Sequence, residues 1–247
     1  MKLKDKVAVI TGSSSGIGKA TALLFSQEGV HVVVHYRNNK RGAQEVVQQI
    51  KRRGGDAVAI KANVIDPDQV RELFQQSIDA FGKVDILVNS VGLAKAKPFF
   101  EITRDHLLEQ FEENLFSTIY CCQEAAKYMK EHGGGKIINI SSMHGIEHIG
   151  ATSILAYTSA RAGMNIFTRT LSRVLGPSIT VNAVTPGFVR TRYWDGISEK
   201  DEQALLADTI IKRWIHPEEI AAACLFLVTN DAVTGEIVVV DGGYQLK

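Results

Sequence analysis

A doubly wound α/β sheet of seven mainly parallel strands, flanked by helices on both faces, is the fold this sequence predicts. Three observations predict it. A glycine-rich loop sits between a short apolar run and a helical pattern, further short apolar runs recur to the end of the chain, and amphipathic intervals separate them.

The first strand is Val7-Ala8-Val9-Ile10, followed directly by Thr11-Gly12-Ser13-Ser14-Ser15-Gly16-Ile17-Gly18. Its glycines let the backbone turn sharply and come close to a ligand, and the helix they open points free N–H groups at an anion. A dinucleotide pyrophosphate fits such a cradle. The spacing G-x-x-x-G-x-G departs from the usual G-x-G-x-x-G, so the neighbours have to decide. Lys19 to Glu28 continues as a helix with Ala20, Leu23 and Leu24 on one face, and a second strand, Val30 to Val34, follows Gly29. Strand, loop, helix and strand within about thirty residues make a right-handed βαβ unit, a scaffold for dinucleotides.

Further strands are expected at Ala57 to Ala62, Ile86 to Asn89, Lys136 to Ser141, Ile179 to Val184 and Ile237 to Asp241. Between them, Pro67 to Phe81 carries Val70, Leu73, Phe74, Ile78 and Phe81 at helical spacing, and Asp105 to Lys130 and Tyr157 to Leu175 are two longer crossover helices. No repeat or linker interrupts this order, so residues 1–247 are expected to form a single domain. Its least regular part, about residues 190–215, is expected to be a substrate lid.

With 45% hydrophobic residues, 247 residues can bury a large core. A formal net charge of +1 without a basic run gives no drive toward nucleic acid or an anionic membrane, which leaves small molecules as partners. The charged start Met1 to Lys6 and the short run after it do not make a signal peptide, no run reaches transmembrane length, and a cytoplasmic location is expected. Three cysteines, two of them adjacent as Cys121-Cys122, read as reduced packing residues, and no metal site is expected.

In a dinucleotide fold an acid at the end of the second strand holds the ribose hydroxyls and repels a 2′-phosphate. Here that position is Tyr36, followed by Arg37, with Lys40 and Arg41 close behind. A guanidinium forks onto phosphate, so NADP(H) is the expected cofactor; the alternative for Arg37 is a solvated cationic loop. Ser141-Ser142 ends one strand, and Tyr157 and Arg161 are four apart at the start of a helix. They share a face, where a guanidinium favours the phenolate of a tyrosine whose ordinary pKa is about 10. Ser142 supplies a hydroxyl to the same site.

With these residues in view, the chain resembles the short-chain dehydrogenase/reductase family, and its 3-oxoacyl-acyl-carrier-protein reductase-like members most, over its full length. The matching motifs are Thr11 to Gly18, Asn89-Ser90-Val91-Gly92, Asn114, Ile140-Ser141-Ser142, Tyr157 with its helix, Pro186-Gly187 and Val240-Asp241-Gly242-Gly243. The resemblance implies a Rossmann-like fold and hydride transfer between a nicotinamide and a carbonyl or secondary alcohol, with a thioester-bound acyl group among the candidate substrates. It implies Ser142 to orient the carbonyl, Tyr157 to exchange the proton and Asn114 to hold a water in a proton relay. It also implies cofactor contacts by Gly12, Ser14, Ser15, Gly16, Ile17, Gly18, Asn63, Val64, Asn89, Ser90, Val91, Gly92, Pro186, Gly187, Val189 and Thr191, besides Tyr36, Arg37, Tyr157 and Arg161. Members of the family are usually homotetramers or homodimers built through the two long helices.

Where the family has a lysine four residues after the tyrosine, this sequence has Arg161. Arginine supplies charge and donors in a wider, planar group that does not deprotonate. Three readings stay open: a working surrogate, a slow or altered enzyme, or a non-catalytic NADP(H)-binding paralogue or scaffold subunit. Asn63 stands in place of an aspartate toward the adenine, and keeps an acceptor oxygen.

Other residues are discounted. His144 and His148 lie near Gly145 and Gly150 and read as solvent or substrate contacts rather than metal ligands. Trp194 and Trp214 flank the expected lid, where they cap a substrate or simply pack. Glu112-Glu113 read as a solvated helix face.

Overall fold

β1 (Val7–Ile10) is buried at all four positions, as befits a strand covered on both faces. In the computed structural model, which describes residues 1–246, it lies inside a seven-stranded sheet. β2 (His31–Tyr36) and β3 (Ala57–Lys61) lie to one side of it. β4 (Ile86–Asn89), β5 (Gly135–Ile140), β6 (Ile179–Pro186) and β7 (Ile237–Val240) lie to the other, giving the order β3-β2-β1-β4-β5-β6-β7. Every pairing between these strands is parallel; in register, Ala8 lies beside Val32 and Ile86. The chain winds outward from β1 to β3, then returns across the sheet to β4. The crevice opened by that reversal, beyond the carboxyl ends of β1 and β4, is where this kind of sheet binds ligands.

Helices cover both faces. α1 (Gly16–Gln27), α2 (Lys40–Arg52) and α8 (Pro217–Thr229) bury Phe25, Val46, Ile50, Ile220 and Leu227 against one face. α3 (Pro67–Phe81), α5 (Ser117–Glu131) and α6 (Leu155–Leu175) bury Leu73, Phe74, Cys121, Met129 and Leu175 against the other. α3 has the bounds its pattern predicts because its ends are signalled twice: the Asp66 carboxylate accepts from the N–H groups of Asp68 and Gln69, and Gly82 closes it at φ +77°. The cysteines are packing residues, all buried, and burial pushes the thiols of Cys122 and Cys224 up to about 12.

Several expected bounds shift. The helix expected from Lys19 begins at Gly16, because glycine tolerates both the φ of +55° and the start of the helix. β2 starts one residue later than Val30 and runs on to Tyr36, β6 runs past Val184 to Pro186, and β3, β5 and β7 stop one residue earlier than expected. The single helix expected over Asp105 to Lys130 is three pieces: α4 (Arg104–Phe111), a π-helical turn Glu112–Phe116, and α5. No glycine or proline between Arg104 and Glu131 marks the insertion in the sequence. The stretch expected to be irregular, residues 190–215, contains a 3-10 turn Arg192–Trp194 and α7 (Glu199–Ala207). Its ends are tied together, since Arg190 N–H donates to Ile215 O (2.9 Å) and Ile215 N–H to Phe188 O (3.0 Å). Among the described residues, no helix is long and apolar enough to cross a membrane.

Candidate active site

The cleft at the switch point has a volume of about 380 Å³, within the range of small-molecule sites. Its floor is the loop after β1. Gly12 turns at φ +65°, and a Cβ there would stand 2.7 Å from Ser90 O; a Cβ on Gly18 would stand 2.7 Å from Gly12 O. Only glycine allows these backbones to approach so closely, and the space kept free is backbone-lined. Ser15 precedes α1 without capping it, and the first turn carries no acid, so the N–H groups of Gly16, Ile17 and Gly18 face the cleft unopposed.

The loops after the other strands complete the walls. Ser90, Val91 and Gly92 follow β4; Ser141 and Ser142 follow β5; Pro186, Gly187 and Val189 belong to the end of β6 and its loop, with Thr191 just beyond. Thr11 Oγ1 accepts from Ser90 N–H at 2.9 Å and locks two of these loops together. Ser14 lies to the outer side, its carbonyl accepting from Asn39 Nδ2 at 3.3 Å. Asn63 and Val64 follow β3, and Asn63 Oδ1 is buried with no partner among the described residues, an acceptor left for a ligand donor. The cradle and this orphan acceptor fit an adenine dinucleotide. Asn89 does not open into the cleft: it is buried, and its Nδ2 donates to Asn139 Oδ1 (2.9 Å), which joins it to Thr168 through Asn139 Nδ2.

Ser142, Tyr157 and Arg161 line the same cleft. Ser142 Oγ accepts from His144 N–H at 3.2 Å, and Tyr157 is half-buried in the first turns of α6. Arg161 is only 4% exposed. Its central carbon lies over the Tyr157 ring, 5.1 Å from the centroid. One terminal nitrogen donates to Ile140 O at 2.9 Å and the other to Val91 O at 3.5 Å, so the guanidinium links the ends of β4 and β5. Its Nε is buried without a partner among the described residues. Gly92, at φ +151°, makes room for it: a Cβ would overlap the guanidinium. Asn114 sits in the π-helical turn, fully buried and behind the wall. Its Oδ1 accepts from Leu93 N–H (3.1 Å) while Nδ2 donates to Leu93 O (3.1 Å) and Gln110 O (2.9 Å).

Tyr36 ends β2 as expected, and Arg37 follows it half-exposed. Arg37 is ion-paired with Glu113 at 3.2 Å. That corrects the expectation of a solvated Glu112-Glu113 face: the Glu113 side chain is 13% exposed, because the π-helical turn carries it toward the end of β2.

Sequence reasoning missed two groups, although it singled out His144, Trp194 and Trp214 of the first one by one. The first is an aromatic wall at the mouth: Phe188 meets Trp194 (5.9 Å) and Tyr244 (5.4 Å), Trp194 meets Trp214 (5.3 Å), and His144 meets Tyr244 (6.3 Å). Burial lowers the pKa of His144, which suits a ring held against this wall. Trp214, 8% exposed, packs behind Trp194 and lies under Arg190. The second group is His35, buried under the glycine loop, where nothing in an apolar strand pattern distinguishes it from a core residue.

Known proteins resemble the chain over almost all of its length. A family profile described as enoyl-(acyl carrier protein) reductase matches residues 12–245. A 3-oxoacyl-[acyl-carrier-protein] reductase of Synechocystis sp. is 36% identical over 245 residues, covering 98% of this chain and 97% of that protein. The (2S)-[(R)-hydroxy(phenyl)methyl]succinyl-CoA dehydrogenase subunit of Thauera aromatica is 36% identical over 249 residues, 100% of this chain and 99% of its own. Among solved structures, 7α-hydroxysteroid dehydrogenase complexed with NADH and 7-oxo glycochenodeoxycholic acid gives a TM-score of 0.93 at 34% identity, over 98% of this chain and 95% of its own. A dehydrogenase/reductase from Sinorhizobium meliloti 1021 gives 0.92 at 32% identity, over 98% and 97%.

Proposed function

The chain belongs to the short-chain dehydrogenase/reductase family, and on that premise we propose that it is an NADP(H)-dependent ketoreductase with Arg161 as a working substitute for the family lysine. The observation that carries this reading is that Ser142, Tyr157 and Arg161 line one cleft with the glycine loop.

Gly12, Ser15, Gly16, Ile17 and Gly18 would hold the pyrophosphate, Asn63 and Val64 the adenine, and Ser90 to Gly92, Pro186 to Val189 and Thr191 the nicotinamide half. A nicotinamide cofactor held there would supply the hydride for the carbonyl carbon. Tyr157 gives its phenolic proton to the carbonyl oxygen in reduction and takes it back in oxidation. Ser142 donates its hydroxyl hydrogen to the same oxygen and fixes its position. Arg161 holds a permanent positive charge over the ring of Tyr157 and fixes the ring's position for the transfer. Asn114, with both ends of its amide on Leu93 and Gln110, holds the wall beside Gly92 and carries the family's relay position.

Preference for NADP(H) is supported by the absence of an acid at the end of β2 and by Arg37 beside it; a 2′-phosphate would draw Arg37 from Glu113. We take residues 1–247 as a single domain, with residues 190–215 as its lid, closing the aromatic wall over an apolar carbonyl compound, a thioester-bound acyl chain included. Exposed Ile166 and Val174 on α6 and Leu107 and Leu108 on α4 support self-association through the long helices into a homodimer or homotetramer.

NADPH consumption by wild type and Arg161→Lys, against 3-oxoacyl thioesters, ketosteroids, quinones and small ketones, tests the proposal. Turnover by wild type that falls on substitution supports it. Silence from wild type with activity in the lysine variant favours a second reading, a non-catalytic cofactor-binding subunit. The observation behind that reading is that Arg161 spends its donors on the carbonyls of Ile140 and Val91.

A further inference from the structure

His35 joins three segments of the chain through one side chain. It is 1% exposed, the penultimate residue of β2, which lies in the sheet between β1 and β3. Its Nδ1 accepts from Gly12 N–H at 2.9 Å, 23 positions earlier, and its Nε2 lies 3.1 Å from Ala62 O, 27 positions later. A carbonyl only accepts and an amide N–H only donates, so Nε2 carries the hydrogen and Nδ1 the lone pair. The backbone is clasped as well: His35 N–H donates to Ser13 Oγ (3.0 Å), Ser13 N–H donates to His35 O (3.1 Å), and the Ser13 hydroxyl donates to Ile10 O (2.6 Å).

Each bond meets a need of the cofactor cradle. Gly12 opens the loop at φ +65°, and that turn takes its N–H out of the strand ladder; without His35 the donor would be left unpaired in a largely buried place. Ala62 follows β3 and immediately precedes Asn63, whose orphan Oδ1 is the acceptor ascribed above to the adenine. One rigid ring therefore spans from the pyrophosphate loop to the adenine wall. Burial keeps the ring neutral, as acceptance from Gly12 N–H requires.

We infer that His35 is a positioning residue for the adenosine half of the cofactor, setting the separation between the Gly12 loop and the Ala62–Val64 segment. It touches no reacting atom. The inference rests on the reading of the cleft as a nicotinamide dinucleotide site.

The experiment is titration of NADPH, NADH and ADP-ribose into the full chain and into three variants, with the melting temperature of each ligand-free protein measured alongside. His35→Asn keeps an acceptor in place of Nδ1; His35→Gln keeps a donor toward Ala62 but loses that acceptor; His35→Leu has neither. Asn is expected to bind within about threefold of wild type, whereas Gln and Leu bind NADPH and ADP-ribose on the order of tenfold more weakly, by a shared factor. If His35→Leu does not fold, the contrast between Asn and Gln decides alone. Equal affinity for Asn and Gln, or a lowered melting temperature with unchanged affinity of the folded protein, overturns the inference and leaves the functional reading standing. Failure of wild type to bind either dinucleotide overturns both.

Discussion

Arg161 places its guanidinium over the face of the Tyr157 ring, 5.1 Å from the centroid, while holding Ile140 O at 2.9 Å. Helix α6 and the end of β5 thus fix one charge from two sides. A lysine in the same place offers a point charge without the planar fork that reaches both Ile140 O and Val91 O. Arg161→Lys is expected to lower kcat roughly tenfold or more, since a displacement of about 1 Å in such a site costs on the order of a hundredfold. A steady-state assay on any accepted ketone checks it.

Tyr157→Phe removes only the phenolic oxygen from a half-buried ring on which Arg161 still stacks. Turnover should fall by roughly 10²–10⁴-fold, the usual range for a positioned acid, while NADPH affinity changes by less than about twofold. Loss of binding together with turnover would mark the tyrosine as a structural residue.

Gly92→Ala puts a Cβ into the Arg161 guanidinium at φ +151°, where side chains are rarely tolerated. Overpacking of this kind costs typically about 1–3 kcal/mol, and the variant should melt at lower temperature with turnover depressed further than stability accounts for. Thermal unfolding and activity, measured on the same preparation, separate the two effects.

Arg37 divides its charge between Glu113 and any phosphate beside Tyr36. Arg37→Ala is expected to raise the Kd for NADPH about tenfold while leaving that for NADH nearly unchanged. Glu113→Gln, which frees the guanidinium, should tighten NADPH by a small factor. Paired titrations with both cofactors at low and physiological salt read the ratio directly.

His35 makes stability depend on pH with a definite sign. Burial, assisted by the charge on Arg37 and opposed by the bond to Ala62, lowers its pKa from 6.5 to about 4. Between those values the unfolded chain binds a proton that the folded one refuses, so stability rises with pH. The contribution is complete above about 6.5 and is lost as pH falls toward about 4, at most about 3 kcal/mol in all. Denaturant unfolding of wild type and His35→Asn at pH 4.5 and pH 7 should show a smaller loss in the variant.

Parts of this site were legible because their signals are local. The loop from Thr11 to Gly18 declares itself by glycines between a strand and a helix, and Tyr157 and Arg161 share a face by spacing alone. α3 came with both bounds because Asp66, Pro67 and Gly82 mark its ends. What stayed hidden depends on segments distant in sequence. His35 looks like one more position in an apolar strand until β1 and β3 are set beside it. Glu113 reads as solvated until Arg37 arrives from the end of β2, and Asn89 stands as a cofactor contact until Asn139 and Thr168 claim it. The aromatic wall draws on Phe188, Trp194, Trp214 and Tyr244, which no local pattern joins.

The π-helical turn Glu112–Phe116 is a phase shift written into a helix. One extra residue rotates everything downstream by about 100° relative to everything upstream. Upstream of it Gln110 faces inward; downstream Cys121, Cys122, Ala125 and Met129 do. At the turn itself, Asn114 aims at Leu93 while its neighbour Glu113 aims at Arg37. An uninterrupted α-helix could keep the sheet-facing side or the cleft-facing side in phase, but not both. A single-residue deletion here would therefore put two surfaces out of step at once, though it removes no residue that either surface is made of.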